Sequence, residues 1–322
     1  MKKKIKIVVL FILFQMVFIP GLSILLVYYG PFTNTRDMIV TTSMTTMKHQ
    51  YFATWFLSDE QIQEILKKNR PEQEIATQAV EDIKINQNLT DGIELIDVSA
   101  KNFKGNLLVI NDPSRVKLAT SPRIGKVGAT TSQIVETYDA VGGINAGGFA
   151  DDALGTGGKA DGIVIESGEL KSGSQKTNYA IVGLDEKNRM VVSNSMTYTK
   201  MKQMNLQSAV SFGPVIIING TPTIKSGDGG WGIQPRTAIG QRKDGAILML
   251  VIDGRQKASL GATLKNVQDI FLQHGAYNAF NLDGGASSTM VYDNKLVNNP
   301  SDILGERYVP SAFIITKPQA KK

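Results

Sequence analysis

The sequence predicts an α+β fold in which a β-rich mixed sheet, built from hairpins and at least one βαβ crossover, follows an N-terminal transmembrane helix and stem helices. Three observations carry this expectation. Residues 5–29 form one apolar run, residues from Ile93 onward alternate short apolar segments with turn residues, and Ala246–Leu282 reads as strand, helix, strand.

The run from Ile5 to Tyr29 is interrupted only by Lys6, Gln15, Pro20, Gly21 and Ser23. It exceeds the ~20 residues that a bilayer-spanning helix needs. The Lys2-Lys3-Lys4 flank orients the N-terminus to the cytoplasm. The run ends in Leu25-Leu26-Val27-Tyr28-Tyr29 rather than in small residues at a cleavage site, so it reads as an uncleaved signal anchor. The rest of the chain is then expected outside the cytoplasm, on a single-pass cell-membrane protein. The organisation that follows is a cytoplasmic tip and anchor at 1–30, a helical stem packing on the domain at 31–92, a catalytic-type domain at 93–317 and a basic tail at 318–322.

Composition narrows the chemistry. The net charge is +6, but Lys2, Lys3, Lys4, Lys6, Lys317, Lys321 and Lys322 supply seven positive charges at the two ends, leaving the body at −1. No basic, aromatic-interleaved patch marks a nucleic-acid surface. With no cysteine, thiol catalysis and thiolate metal clusters are excluded, and His49 and His274 are too few for a multi-histidine zinc site. No cofactor is required. A divalent cation on oxygen ligands at Asp253, Asp283 or Asp161 is neither required nor excluded.

In the stem, Thr33–Val40 reads as an exit segment, and Met44, Met47, Tyr51 and Trp55 are spaced for one helix face. Ser58 and Gln61 form a capping box before Ile62, Ile65 and Leu66, and Pro71 stops that helix. A second helix is expected over Glu72–Ile83, followed by a turn at Asn88–Gly92, where Asn88 also begins a glycosylation sequon of little weight. Hairpins are expected at Gly162–Leu170, Tyr179–Val192, Val215–Ile224 and Thr237–Leu250. In the crossover, Ala246–Ile252 and Asn278–Leu282 are strands and Thr263–His274 a helix closed by Gly275. Asp253 and Asp283, each directly after a strand, should leave the same sheet edge, where ligand sites of parallel arrangements lie.

Gly142-Gly143-Ile144-Asn145-Ala146-Gly147-Gly148-Phe149 is dense enough in glycine to bring backbone N–H groups close to a ligand, but it matches neither a P-loop nor a dinucleotide fingerprint. It reads equally as a turn between strands. Asp253-Gly254-Arg255 and Asn281-Leu282-Asp283-Gly284-Gly285, followed by Ser287, Ser288 and Thr289, place carboxylates and hydroxyls on sharply turning backbone. A serine-hydrolase elbow is missing, whereas paired carboxylates suit glycoside hydrolysis. Aspartates before glycine also commonly just cap turns. Arg236, Arg255 and Arg307 offer planar forks for phosphate.

Four ordered blocks, Gly142–Phe149, Pro235–Gly240, Val251–Arg255 and Asn281–Met290, together resemble the phosphodiester glycosidase family, in a membrane-anchored Gram-positive form. The resemblance spans Ile93–Thr316. It implies hydrolysis of sugar-1-phosphodiester bonds in a phosphoglycan of the cell envelope or an exopolysaccharide. It implies Arg236 and Arg255 on phosphate, Asp283 as nucleophile or water-activating base, and Asp253 as a second carboxylate or as the group orienting Arg255. Asn145, Gly147, Gly148, Phe149, Thr237, Asn281, Gly284, Gly285, Ser287, Ser288, Thr289 and Arg307 then fall in the substrate-binding set. The alternative is a non-catalytic glycan-binding or polysaccharide-assembly factor on the same fold.

Overall fold

The computed structural model describes residues 2–46, 49–71, 78, 80–85, 90–150 and 155–318. The chain divides into two compact units, Met1–Arg70 with Gly230–Gly232, and Pro71–Gly229 with Ile233–Lys322.

The first unit is helical: α1 (Lys2–Tyr29), α2 (Thr33–Met44), α3 (Tyr51–Thr54) and α4 (Asp59–Asn69). Lys4–Tyr29 is long and apolar enough to cross a membrane. Tyr28, Val40, Ala53, Leu57, Ile62 and Ile65 form a small core. The capping box is present as expected, Ser58 Oγ accepting from Gln61 N while Gln61 Oε1 accepts from Ser58 N. Two expectations fail here. Thr33–Val40 is helix rather than an exit segment, and Met44, Tyr51 and Trp55 do not share one helix, because α2 ends at Met44. The hydroxyls of Thr41, Ser43, Thr45 and Thr46 all donate to carbonyls three or four residues back, a local competition with the backbone ladder that bends or ends helices. Met47 lies outside the described residues, as do Glu72–Thr77 of the second expected helix and the Asn88 sequon. Within that helix's span Val80–Asp82 forms a 3-10 turn.

In the second unit the strands are β1 (Ile93–Asp97), β2 (Gly105–Ile110), β3 (Val116–Thr120), β4 (Gly142–Asn145), β5 (Val164–Glu166), β6 (Glu169–Ser172), β7 (Asn178–Leu184), β8 (Met190–Thr197), β9 (Ser208–Ser211), β10 (Val215–Ile218), β11 (Thr221–Pro222), β12 (Arg236–Arg242), β13 (Ile247–Ile252), β14 (Ala276–Leu282), β15 (Met290–Tyr292), β16 (Lys295–Leu296) and β17 (Ser311–Ile315). Helices α5 (Thr131–Thr137), α6 (Tyr198–Gln203) and α7 (Leu264–Gln273) complete it. Three sheets form, in the orders β1-β2-β13-β12-β14-β10-β11, β16-β15-β4-β17-β3 and β6-β5-β9-β7-β8. They share one core, to which the first gives Met249, Val251 and Phe280, the second Ile144 and Phe313, and the third Val182 and Val210.

All four expected hairpins are present, as β5–β6, β7–β8, β10–β11 and β12–β13. The crossover is present with a difference. Strands β13 and β14 both pair antiparallel with β12, which lies between them, so they run parallel to each other without being neighbours. Helix α7 connects them, capped by Thr263 and followed by Gly275 at φ +78°. This topology fixes the site's frame, because Arg236 opens β12 at the end where β13 and β14 deliver Asp253 and Asp283.

Between sheets, the buried Gln241 ties two hairpins together. Its Nε2 donates to Asn188 O and Gly245 O, both at 2.9 Å, and its Oε1 accepts from Met190 N at 2.5 Å. Replacing Gln241 with Leu is expected to strand these backbone groups and cost about 1–3 kcal/mol, read as a lower denaturant midpoint at unchanged m-value.

Candidate active site at the edge of β12, β13 and β14

Close backbone packing builds the site. A Cβ on Gly254 would stand 2.7 Å from Pro235 N, and one on Gly284 would stand 2.7 Å from Pro235 O. Neither glycine has a positive φ, so the requirement at both is space rather than conformational freedom. Gly285 N donates to Pro235 O at 3.0 Å. The two Asp-Gly turns therefore close on the residue preceding Arg236, which gathers Arg236, Asp253, Arg255 and Asp283 at one edge. Register places Arg236 opposite Ile252 and Thr237 opposite Leu282. With one strand between them, the aspartates leave from positions roughly 9–10 Å apart at the backbone.

Arg236 is 3% exposed, and its Nε donates to Ala262 O at 2.9 Å. Burial lowers its guanidinium pKa to about 9, opposed by the nearby Asp228 carboxylate and helped to a smaller extent by the Arg255 charge. Arg255 adopts φ +57° and directs Nε and Nη2 to Gln234 Oε1 at 3.1 and 2.7 Å. Although Arg255 is exposed as a whole residue, its guanidinium is crowded enough that desolvation, followed by repulsion from Arg307, lowers its pKa. Arg307 stacks over the Phe149 ring at 4.8 Å from its centroid. Three arginines thus act on one another electrostatically at this edge.

The two aspartates have different surroundings. Asp253 is 8% exposed, and Asn298 Nδ2 (2.9 Å) and Asn299 N (3.0 Å) donate to its Oδ1, with a further 3.2 Å contact from Asn299 N to Oδ2. Burial pushes its carboxyl above the usual carboxylate range despite those donors. Asp283 is half-buried, its backbone N donating to Ala146 O and its backbone O accepting from Asn145 Nδ2. The group orienting Arg255 is Gln234 rather than Asp253, because the Asp253 carboxylate faces Asn298 and Asn299.

Asn145 is a connector. It is fully buried, with Nδ2 on Asp283 O at 2.6 Å and Oδ1 accepting from Thr237 Oγ1 (2.8 Å) and Thr289 N (3.1 Å). It therefore joins β4, β12 and the turn after β14 from inside, its amide engaged by Asp283 O, Thr237 Oγ1 and Thr289 N. Gly147 and Gly148 serve close packing, a Cβ on either lying 3.3 Å from Ser211 O or 3.0 Å from the Phe212 ring. Asn281 donates to Gly213 O, while Ser287 and Ser288 are buried. Asn281 Oδ1 and Ser288 Oγ are buried without a hydrogen-bond partner among the described residues. A Cβ on Gly285 would lie 3.3 Å from Arg255 Nη2, so the guanidinium rests against the Gly284-Gly285 turn. Among the described residues no group of three or more His, Asp or Glu is placed to hold a metal ion.

Gln234, Asn298 and Asn299 escaped the sequence reading. Gln234 sits one residue before Pro235 in a block already singled out, and Asn298-Asn299-Pro300 is a polar turn whose partner, Asp253, is 45 residues away.

An uncharacterized SPbeta prophage-derived protein of Bacillus subtilis, YomE, is 44% identical over 84 residues, 26% of this chain and 13% of that protein. The N-acetylglucosamine-1-phosphodiester alpha-N-acetylglucosaminidase of Bos taurus is 39% identical over 70 residues, 22% of this chain and again 13% of its relative's length. The auto-inhibited catalytic domain of the zebrafish enzyme of that name superposes with a TM-score of 0.60 at 20% identity, covering 73% of this chain and 86% of that one, and so shares the fold. The phosphodiester glycosidase family model matches residues 138–316, more than half of the sequence and all four motif blocks, and the chain belongs to that family.

Proposed function

We propose that the chain hydrolyses sugar-1-phosphodiester bonds in a phosphoglycan of the cell envelope or an exopolysaccharide. The observation that carries this reading is the convergence of Arg236, Arg255 and Arg307 on the edge where Asp283 emerges. Water, or Asp283 itself ahead of water, attacks the sugar C1. The C1–O bond to phosphorus breaks, and its electron pair leaves with the oxygen as a phosphate monoester. Where Asp283 attacks first, water then displaces it from C1, that C1–O bond breaking with its electron pair returning to the carboxylate; in either case the proton lost by water passes to Asp283. Since the leaving group is already a stabilised anion, cationic forks on phosphate contribute more than a strong general acid. Asp253 acts as a positioning residue that holds the Asn298-Asn299 turn beside Ser288, because Asn298 Nδ2 also donates to Ser288 O at 3.0 Å.

The reading also covers location: α1 serves as an uncleaved anchor with its lysines in the cytoplasm and the second unit outside. Protease added to intact cells should then degrade the second unit and spare the N-terminal tip. A second unit protected until lysis would reverse the orientation.

Three arginines that repel one another, with Asp228 acting on Arg236, gain from a further anion. Inorganic phosphate at about a hundredfold excess over its Kd should therefore raise Tm by about 5–10 °C over chloride at equal ionic strength. Arg236→Met and Arg255→Met should each remove most of that rise. Equal Tm in both salts would remove the anion site.

For the chemistry, a glycosyl-1-phosphate ester is incubated with the full chain and released reducing sugar is measured. Asp283→Asn is expected to lower kcat by about 10²-fold or more. Wild-type inertness combined with measurable phosphoglycan binding would instead assign a glycan-binding or assembly role.

A further inference from the structure

The second unit exposes seven large apolar side chains among its described residues, and the four most exposed share two loops. The four most exposed are Ile303 (98%), Leu304 (90%), Leu260 (57%) and Tyr308 (46%). All four lie on the two loops that carry Arg255 and Arg307. Single exposed apolar residues are ordinary, but two adjacent aliphatic side chains almost wholly in water at a turn tip are not.

Both loops are well braced. In the first, Arg255 N donates to Leu260 O at 3.1 Å, and Gln256 and Ser259 exchange backbone hydrogen bonds. In the second, Asp302 Oδ1 accepts from Leu304 N, Asp302 O accepts from Gly305 N, and Gly305 takes φ +92°. Glu306 holds the base of that loop by accepting from Ser132 N and Oγ. Gln256 and Asn299 exchange side-chain and backbone hydrogen bonds at 2.6 and 2.8 Å, which ties the first loop to the segment leading into the second. Turn chemistry asks for polar or small residues at a tip, and Asp302 and Gly305 satisfy it. Ile303 and Leu304 between them do nothing for the turn.

We infer that these loops form a subsite for a hydrocarbon group on the phosphate side of the scissile bond, so that the substrate is an amphiphilic glycosyl phosphodiester bearing an alkyl or isoprenyl aglycone. The inference rests on the glycosyl-phosphodiester reading above and extends it to the aglycone. The occupant follows from continuity: the same backbone segments present guanidinium groups for phosphate and, within a few residues, aliphatic surface for what the phosphate carries. Burial of two or so methylene-sized groups sets the scale of the expected preference at about tenfold.

The test uses the full chain in nanodiscs with two substrates that share one sugar, the methyl and the hexyl ester of its 1-phosphate. The expected result is a hexyl-to-methyl ratio of kcat/KM near tenfold, falling toward one in Ile303→Ser/Leu304→Ser and partway in Leu260→Ser, with unfolding midpoints unchanged at these exposed sites. A wild-type ratio near one, or a ratio that survives both substitutions, overturns the proposal. If neither ester is cleaved, the hydrolase reading fails on its own, and calorimetry with the same two esters decides the subsite. Tighter hexyl binding lost in the double variant keeps it, whereas equal binding or no binding of either ester removes it.

Discussion

The contact on which the site depends is the closure of two Asp-Gly turns over Pro235. Gly254 lies against its nitrogen and Gly284 against its carbonyl, each at a distance a Cβ would violate. Proline suits the covered position because it has no N–H to be left unpaired when another backbone segment seals it. The carbonyl on the other side is satisfied by Gly285 N. A third neighbour, Gly261, packs so that a Cβ would stand 2.6 Å from the Gln234 carbonyl. One short segment, Gln234–Arg236, is thereby enclosed by backbone on several sides, and the side chains that leave it have fixed origins.

Charge then follows from that geometry. Enclosing Gln234–Arg236 buries a guanidinium near that of Arg255, a costly arrangement that the buried Asp228 carboxylate partly offsets. Neutral acceptors help orient the forks, Ala262 O for Arg236 and Gln234 Oε1 for Arg255, while Asp228 offsets part of the charge on Arg236. Asn145, fully buried, likewise ties three segments through a neutral amide that adds no charge to the site.

Much of this was legible in the sequence, and the boundary is physical. Turn residues announced the four hairpins, and Gly275 at the end of Thr263–His274 announced where α7 stops, because both signals are local. The shared edge of Asp253 and Asp283 was legible because a strand, helix, strand run reverses direction twice, even with β12 inserted between the strands. What escaped were pairings between distant segments of similar polarity. Asparagine and glutamine carry no sign of whether they will face a sugar, a carboxylate or a backbone amide, so Asn145 was assigned outward while Asn298 and Gln234 went unassigned. Stem helix ends were misread for a related reason, since Thr41, Ser43 and Thr45 had hydroxyls able to turn back on the helix.

The different surroundings of the two aspartates divide their work. A general acid must hold its proton toward the leaving oxygen, but Asp253 Oδ1 already accepts from Asn298 and Asn299 and Oδ2 receives Asn299 as well. Its raised pKa reflects burial rather than a poised proton, and protonating it would weaken the bonds that hold the Asn298-Asn299 turn in place. Asp283 has its backbone fixed on both sides, by Ala146 O and Asn145 Nδ2, and its residue reaches solvent. A reaction whose leaving group departs as a stabilised phosphate can dispense with the acid and keep one carboxylate at C1. The site therefore places neutral donors on the buried Asp253 and leaves Asp283 half-buried at the edge where the arginines act on one another, the division on which the proposed reaction relies.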